Sequence, residues 1–319
     1  MASKDHTVPQ MYLRRFAEKR RQNSFVERVS VESYPNGPAV NVRNVGAIDS
    51  FYWSRNFTKK TPHIVEELLG KIETAATPAF NIILDDHDFA LPRKWPIPQK
   101  HRTSLAWWMA AQILRTTRQR ARVVTTTDLA GLDPPPNIKR ANFGRDEHLS
   151  YIVQNISKLA AILFDKPWAV GFSDCCLLSS DVPVLVLNGQ DDKDQLLAAA
   201  YWDVFLPLDP HRFLLLPSLG TRKDDYRARA DHLAKFPGGL GLAMVQATFD
   251  AADKIVLRHP QHRLLHGKVE VDARLPSPDP FIANETSGHA YIINYEVLPP
   301  TAQIWKRWAH EHAPAEKQT

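Results

Sequence analysis

The chain has 319 residues, 44% of them hydrophobic and 24% charged, with a net charge of +5 and a pI near 9.1. That is enough apolar material for a substantial core, and eight Trp with fourteen Phe exclude a disordered chain. The basic surplus permits contact with nucleic acid without requiring it. The only cysteines, Cys175 and Cys176, are adjacent, which excludes a disulfide framework and a Cys-x-x-Cys zinc pair. The opening MASKDH lacks the apolar stretch of a signal peptide, and no run approaches a membrane span. A cytoplasmic protein is expected.

Along the chain, His6 stands just ahead of Thr7-Val8-Pro9, and Pro9 suits a first helical position. Tyr12, Leu13 and Phe16 then make an apolar stripe, with Arg14, Arg15, Lys19, Arg20 and Arg21 largely off it. SFVERVSVES and VNVRNVGAIDSFYWS flank the turn string Tyr34-Pro35-Asn36-Gly37-Pro38 and predict a strand pair. From Thr61-Pro62 a helix is expected, with Ile64, Val65, Leu68, Leu69 and Ile72 at helical spacing. Beyond the proline-broken RKWPIPQ, HRTSLAWWMAAQILRTTRQR reads as one helix, apolar almost all round and therefore buried.

Residues 125–145 contain Asp133-Pro134-Pro135-Pro136 and little periodicity, which predicts a long loop or lid. A further helix starts at Asp146, with Leu149, Ile152, Val153, Ile156, Leu159, Ala160 and Leu163 on one face, and stops at Lys166-Pro167. The second half changes character. WAVGF, CCLLSSDVPVLVLNG, WDVFLPLDPHRFLLLPS and KIVLRHP read as strands, with KVEVDAR a further candidate. Helices are expected over 223–235 and in AMVQATFDAAD. Helices mainly in the first half and a mixed or antiparallel sheet mainly from the second define an α+β fold sharing one core. One domain over 1–274 is expected, then a Pro-rich C-terminal extension over 275–319 ending in the short helix TAQIWKRWAHEH.

Chemistry is suggested at several places. Glu66 and Glu73 in VEELLGKIE are two helical turns apart, on one stripe beside the buried face. They flank a substrate or an ion, or are two solvated boundary residues. Gln112 and Arg115 project together from the buried helix, and a buried Arg demands an anion or an acidic partner, for which Glu66 and Glu73 are the candidates. Ser179-Ser180-Asp181-Val182-Pro183 is a turn-forming string, in which Asp181 is alternatively a metal ligand or acid/base. No P-loop, Gly-x-Gly-x-x-Gly, His-Glu-x-x-His or Gly-x-Ser-x-Gly string is present.

HTVPQMYLRRF, VEELLGKIE, AAQILRT, LSSDVPV and FLPLDPH occur in this order. Together they resemble the DUF4238 family of bacterial proteins of unknown function, over roughly residues 6–256. The resemblance points to His6, Gln10, Glu66, Glu73, Gln112, Arg115, Ser180 and Asp181 as the shared polar set. Gln246 stands where the pattern has an Asn, and the cysteine pair and the tail after 275 lie outside it.

From residue types, a metal-assisted phosphodiesterase or nuclease is expected, in the manner of a bacterial defence or toxin effector. Glu66, Glu73 and Asp181 would hold Mg²⁺ or Mn²⁺, Arg115 would stabilise charge on phosphate, and His6 would act as acid/base, with Gln10, Gln112 and Ser180 completing the site. Nucleic acid is the expected partner. The alternative is a non-catalytic recognition or scaffold protein whose polar set is an internal network.

Overall fold

A computed structural model describes residues 4–32, 37–54, 63–85, 97–173, 175–187, 197–218, 231–236, 238–261 and 296–298 (backbone alone at 197–198, 238 and 296–298). In chain order come β1 (Lys4–His6), α1 (Gln10–Leu13), β2 (Glu18–Arg20), β3 (Asn23–Ser30), β4 (Ala39–Asn41) and β5 (Ala47–Asp49). The helices α2 (Ile64–Leu84), α3 (Gln99–Leu114), α4 (Thr117–Leu129) and α5 (Arg140–Asp165) follow. The remainder is β6 (Ala169–Ser173), β7 (Ser179–Ser180), β8 (Leu185–Val186), β9 (Val204–Pro207), β10 (Arg212–Leu216), β11 (His232–Phe236), α6 (Gly238–Ala251), β12 (Ile255–Arg258) and β13 (Glu296–Leu298).

These make an α+β fold. A six-stranded sheet runs β13-β11-β6-β10-β9-β8, antiparallel except for the parallel β11–β6 pair. A second sheet runs β2-β3-β12-β7 with β4 on β3, and β1 pairs with β5. Apolar faces of α2, α3 and α5 meet residues of both larger sheets in one core, which includes Leu69, Phe80, Trp108, Leu159, Phe172, Leu206 and Leu257.

The N-terminal stripe docks as its spacing predicts. Tyr12, Leu13 and Phe16 are fully buried, and the Tyr12 ring lies 5.4, 6.1 and 5.2 Å from those of Phe16, Phe80 and Trp108. Its hydroxyl donates to Pro207 O at 2.8 Å and accepts from Ser179 Oγ at 3.0 Å. Burial pushes this phenol far above its ordinary pKa. Pro9 is the extended residue before the helix rather than its first member.

Elsewhere the structure departs from expectation. The helix read through Arg120 breaks after Leu114, because Thr116 turns extended and its side chain accepts from Gln119 N at 3.1 Å, capping α4. The loop expected over 125–145 shrinks to 130–139. The hydroxyls of Thr125, Thr126 and Thr127 donate to carbonyls four residues back, which seats a polar β-branched run in a helix. CCLLSSDVPVLVLNG is not one strand: β7 pairs with β12 and β8 with β9, in different sheets. Within the helix expected over 223–235, His232 to Lys235 are in β11, since parallel pairing with β6 overrides local pattern.

β13 pairs antiparallel with β11, so a segment after 275 adds an edge strand to the larger sheet. The turn residues Tyr34-Pro35-Asn36, the Thr61-Pro62 start, the first part of RKWPIPQ, KVEVDAR and TAQIWKRWAHEH lie outside the described residues. Among the described residues, no helix is long and apolar enough to cross a membrane.

Candidate functional site

The α2 helix separates Glu66 from Glu73. Glu66, 40% exposed, pairs with His63 Nδ1 at 3.3 Å, one turn away at the helix start. Glu73, two turns on and 29% exposed, accepts from Arg115 Nη1 at 2.7 Å. Arg115 itself is 1% exposed. Of the two candidate partners for the buried guanidinium, the fold therefore selects Glu73. The Arg115 Nε donates to Gln112 Oε1 at 3.2 Å, the (i, i+3) contact that their spacing implies.

These bonds leave a set of donors over. Arg115 Nη2, Gln112 Nε2 and Trp108 Nε1, together with the Tyr52 hydroxyl, are buried without a hydrogen-bond partner among the described residues. Trp108, Gln112 and Arg115 share one face of α3 by steps of four and three. All three nitrogens donate and none accepts. Buried polar groups are rarely left unpaired, so these donors are open to an acceptor, whether water or the oxygens of a ligand. Glu73, the ion-pair partner of Arg115, is itself partly exposed.

Tyr52 belongs to a strap of residues 51–54 that is held from several sides. The Asp5 carboxylate accepts from Tyr52 N at 2.8 Å, Arg120 Nη2 donates to Phe51 O at 2.7 Å, and Arg145 Nη1 donates to Trp53 O at 3.2 Å. Ser54 donates to Asp146, and the Arg120 guanidinium stacks 3.4 Å from the centre of the Phe51 ring. Arg120 Nε donates to His148 Nδ1 at 3.1 Å, which fixes the neutral tautomer whose Nε2–H donates to Leu114 O at 2.9 Å.

Burial, reinforced by the Arg120 charge, lowers the His148 pKa to about 3. Burial also lowers Arg120, to about 10. Burial pushes Tyr52 up to about 12, against the pull of the Arg115 and Arg120 charges and with Glu73 and Asp5 adding to the rise. The phenol is thus a neutral donor in electrostatic reach of both the guanidinium and the carboxylate.

Other predicted residues sit elsewhere. His6 Nδ1 donates to Val45 O at 3.2 Å, and its Nε2 accepts from Gln10 Nε2 at 3.0 Å. Arg14 Nη2 donates to Gln10 Oε1 at 3.4 Å. Successive strand side chains point to opposite faces, so β1 sends Asp5 toward Tyr52 and His6 toward Val45 and Gln10. Ser180 Oγ accepts from Val182 N at 3.1 Å and donates to Val182 O at 2.9 Å, closing the turn that its sequence implies.

Asp181 accepts from Asp253 N and Lys254 N at 2.8 Å and from Ile255 N at 3.2 Å, and so fastens the β7–β8 turn to the start of β12. Burial outweighs these amide bonds and pushes its carboxyl up to about 6. Asp181→Asn should cost about 1–3 kcal/mol of stability, because its amide NH₂ faces a backbone N–H; equilibrium denaturation measures this. Glu66, Glu73 and Asp181 thus each have separate partners. Among the described residues, no three His, Cys, Asp or Glu side chains are grouped so as to hold a metal ion.

The residues that spacing does not reveal are Asp5, Tyr52 and Arg120, whereas Trp108 shares the Gln112–Arg115 face by its spacing. Of these, Arg120 carried a signal, as an Arg at the end of the helix read over HRTSLAWWMAAQILRTTRQR.

Fold and site together define an α+β protein with a buried, donor-rich arginine centre. The chain belongs to the DUF4238 family, proteins of unknown function, with residues 4–297 matched. Neither a curated protein nor a solved structure matches it significantly.

Proposed function

We propose that this protein recognises a phosphodiester through the Arg115 centre and hydrolyses it, nucleic acid being the partner that the basic surplus favours. The observation that carries the proposal is the pair of buried donors, Arg115 Nη2 and Gln112 Nε2, that have no partner among the described residues and lie beside the Arg115–Glu73 ion pair. A phosphodiester brings two unesterified oxygens that share one negative charge. Those oxygens would accept from the two donors, and the guanidinium would stabilise charge that builds on them during attack by water. Glu73, bonded to Arg115 and partly open to solvent, would take the proton of the water as its oxygen bonds to phosphorus. It would return that proton to the alcohol oxygen released as the P–O ester bond breaks. The proposal assigns no ion to Glu66, Glu73 and Asp181, since their bonds commit them to different neighbours.

The test is cleavage of a broad RNA and DNA panel, with and without Mn²⁺. Wild-type protein is expected to cleave, and Arg115→Met is expected to lose about 10²–10³-fold in rate, as for removal of one oxyanion donor. No cleavage or binding of any member of the panel would overturn the proposal.

A structural reading is favoured by the bonds that Arg115 already makes to Glu73 and Gln112. It predicts that Arg115→Met loses about 3–5 kcal/mol, the effect of breaking a buried pair. The phosphodiester reading expects a smaller loss, because Glu73 can hydrate once released.

A further inference from the structure

The proposal above leaves the Tyr52 hydroxyl without a task, although the chain goes to some length to place it. Carbonyls on either side of Tyr52 are held by Arg120 and Arg145, and its own N–H by the buried Asp5 carboxylate. The backbone is fixed from three separate segments, yet the ring ends in a buried hydroxyl with no hydrogen-bond partner among the described residues. Such a group costs stability unless something else occupies it. The phenol lies in electrostatic reach of Arg115 and Glu73, and burial keeps it protonated, hence a donor, throughout the neutral range.

We propose that the Tyr52 hydroxyl is a ligand-binding group of the Arg115 centre, donating to one oxygen of the anion whose other oxygen Arg115 Nη2 and Gln112 Nε2 hold. Asp5, Arg120 and Arg145 are then positioning residues that act through the strap. The inference rests on the phosphodiester reading and extends it to the kind of anion accepted. The side chains that act on Tyr52 by their charge include two arginines, Arg115 and Arg120, and two carboxylates, Glu73 and Asp5. That balance suits an anion with one charge and two equivalent oxygens better than a phosphate dianion. Phosphodiesters and carboxylates share this chemistry.

Dimethyl phosphate and acetate separate the two sources. Each is titrated by calorimetry into the full-length wild type, Tyr52→Phe and Arg115→Met, and all three are melted without ligand. Saturable binding of dimethyl phosphate by the wild type is expected, with acetate bound more weakly. Tyr52→Phe is expected to weaken binding about tenfold or more, equivalent to about 1.4 kcal/mol, while melting no lower than the wild type. Arg115→Met should abolish binding.

Equal affinity for wild type and Tyr52→Phe would overturn the role of Tyr52 and leave the phosphodiester reading standing. A Tyr52→Phe melting point several degrees below wild type would also overturn it, because the hydroxyl would then be engaged within the protein. Preference for acetate would keep Tyr52 and overturn the phosphodiester reading. No wild-type binding of either probe would overturn both.

Discussion

Arg102→Ala should lower the unfolding free energy by about 3–5 kcal/mol, the range for breaking a buried ion pair. Arg102 is largely buried, and each edge of its guanidinium is occupied. Nε donates to Phe164 O at 2.8 Å, and the two terminal nitrogens donate to Asp231 and to Lys166 O. Its plane also lies 4.7 Å from the Trp168 ring centre. One side chain thus joins α3 to the last turn of α5, to the connection into β6 and to the residue before β11. Asp231 in turn accepts from Trp168 N at 2.9 Å, so its carboxylate would remain buried after the guanidinium is removed. Lys should rescue only part of the loss, because a point charge cannot serve two carbonyls and a carboxylate in one plane. Equilibrium denaturation measures both variants. A loss below about 1 kcal/mol, the value for an exposed pair, would show that Arg102 does not hold these elements together.

The second large effect is a fall in stability with acid that belongs to His148. Its folded pKa, lowered to about 3, lies below the unfolded value of about 6.5. Between those values the unfolded chain binds the proton and the native protein does not. The stability due to neutral His148 is therefore present above about pH 6.5 and is lost as pH falls below it, at about 1.4 kcal/mol per unit. Asp181 works in the opposite sense, because its raised pKa contributes stability at low pH that is lost as pH rises through about 6. A difference between wild type and His148→Gln isolates the histidine. Gln can accept from Arg120 and donate to the Leu114 carbonyl without titrating, so the variant should lose about 2 kcal/mol less than wild type between pH 7 and pH 5. Parallel stability curves would contradict this assignment. The same protonation would withdraw the acceptor from Arg120 Nε and loosen the strap that carries Tyr52.

Local chemistry made part of this structure legible. The burial of Tyr12, Leu13 and Phe16 follows from their spacing, and Gln112 meets Arg115 because residues three apart share a helix face. A buried Arg at the end of an apolar helix called for a carboxylate, and Glu73 supplies it. The Ser180–Asp181 turn follows from side chains that bond nearby amides. What spacing could not show depends on distant segments. Tyr52 sits in SFYWS, which reads as a strand end, and its placement is set by Asp5, Arg120 and Arg145. The bonds that fix the strap span 47, 69 and 92 residues of sequence. His6 was the more conspicuous residue by chemistry, yet the alternation of β1 gives the neighbouring Asp5 the contact with the strap. The parallel pairing of β11 with β6 was likewise invisible locally.

The central claim is that Arg115 Nη2 holds an oxyanion. Side-chain ¹⁵N NMR of the arginines during titration with dimethyl phosphate tests it most directly. Arg115→Met identifies the Arg115 signals by their disappearance. Saturable shifts of those signals, in step with the calorimetric affinity, are the predicted result. Unmoved Arg115 signals at saturating ligand, in a protein that stays folded, would contradict the claim.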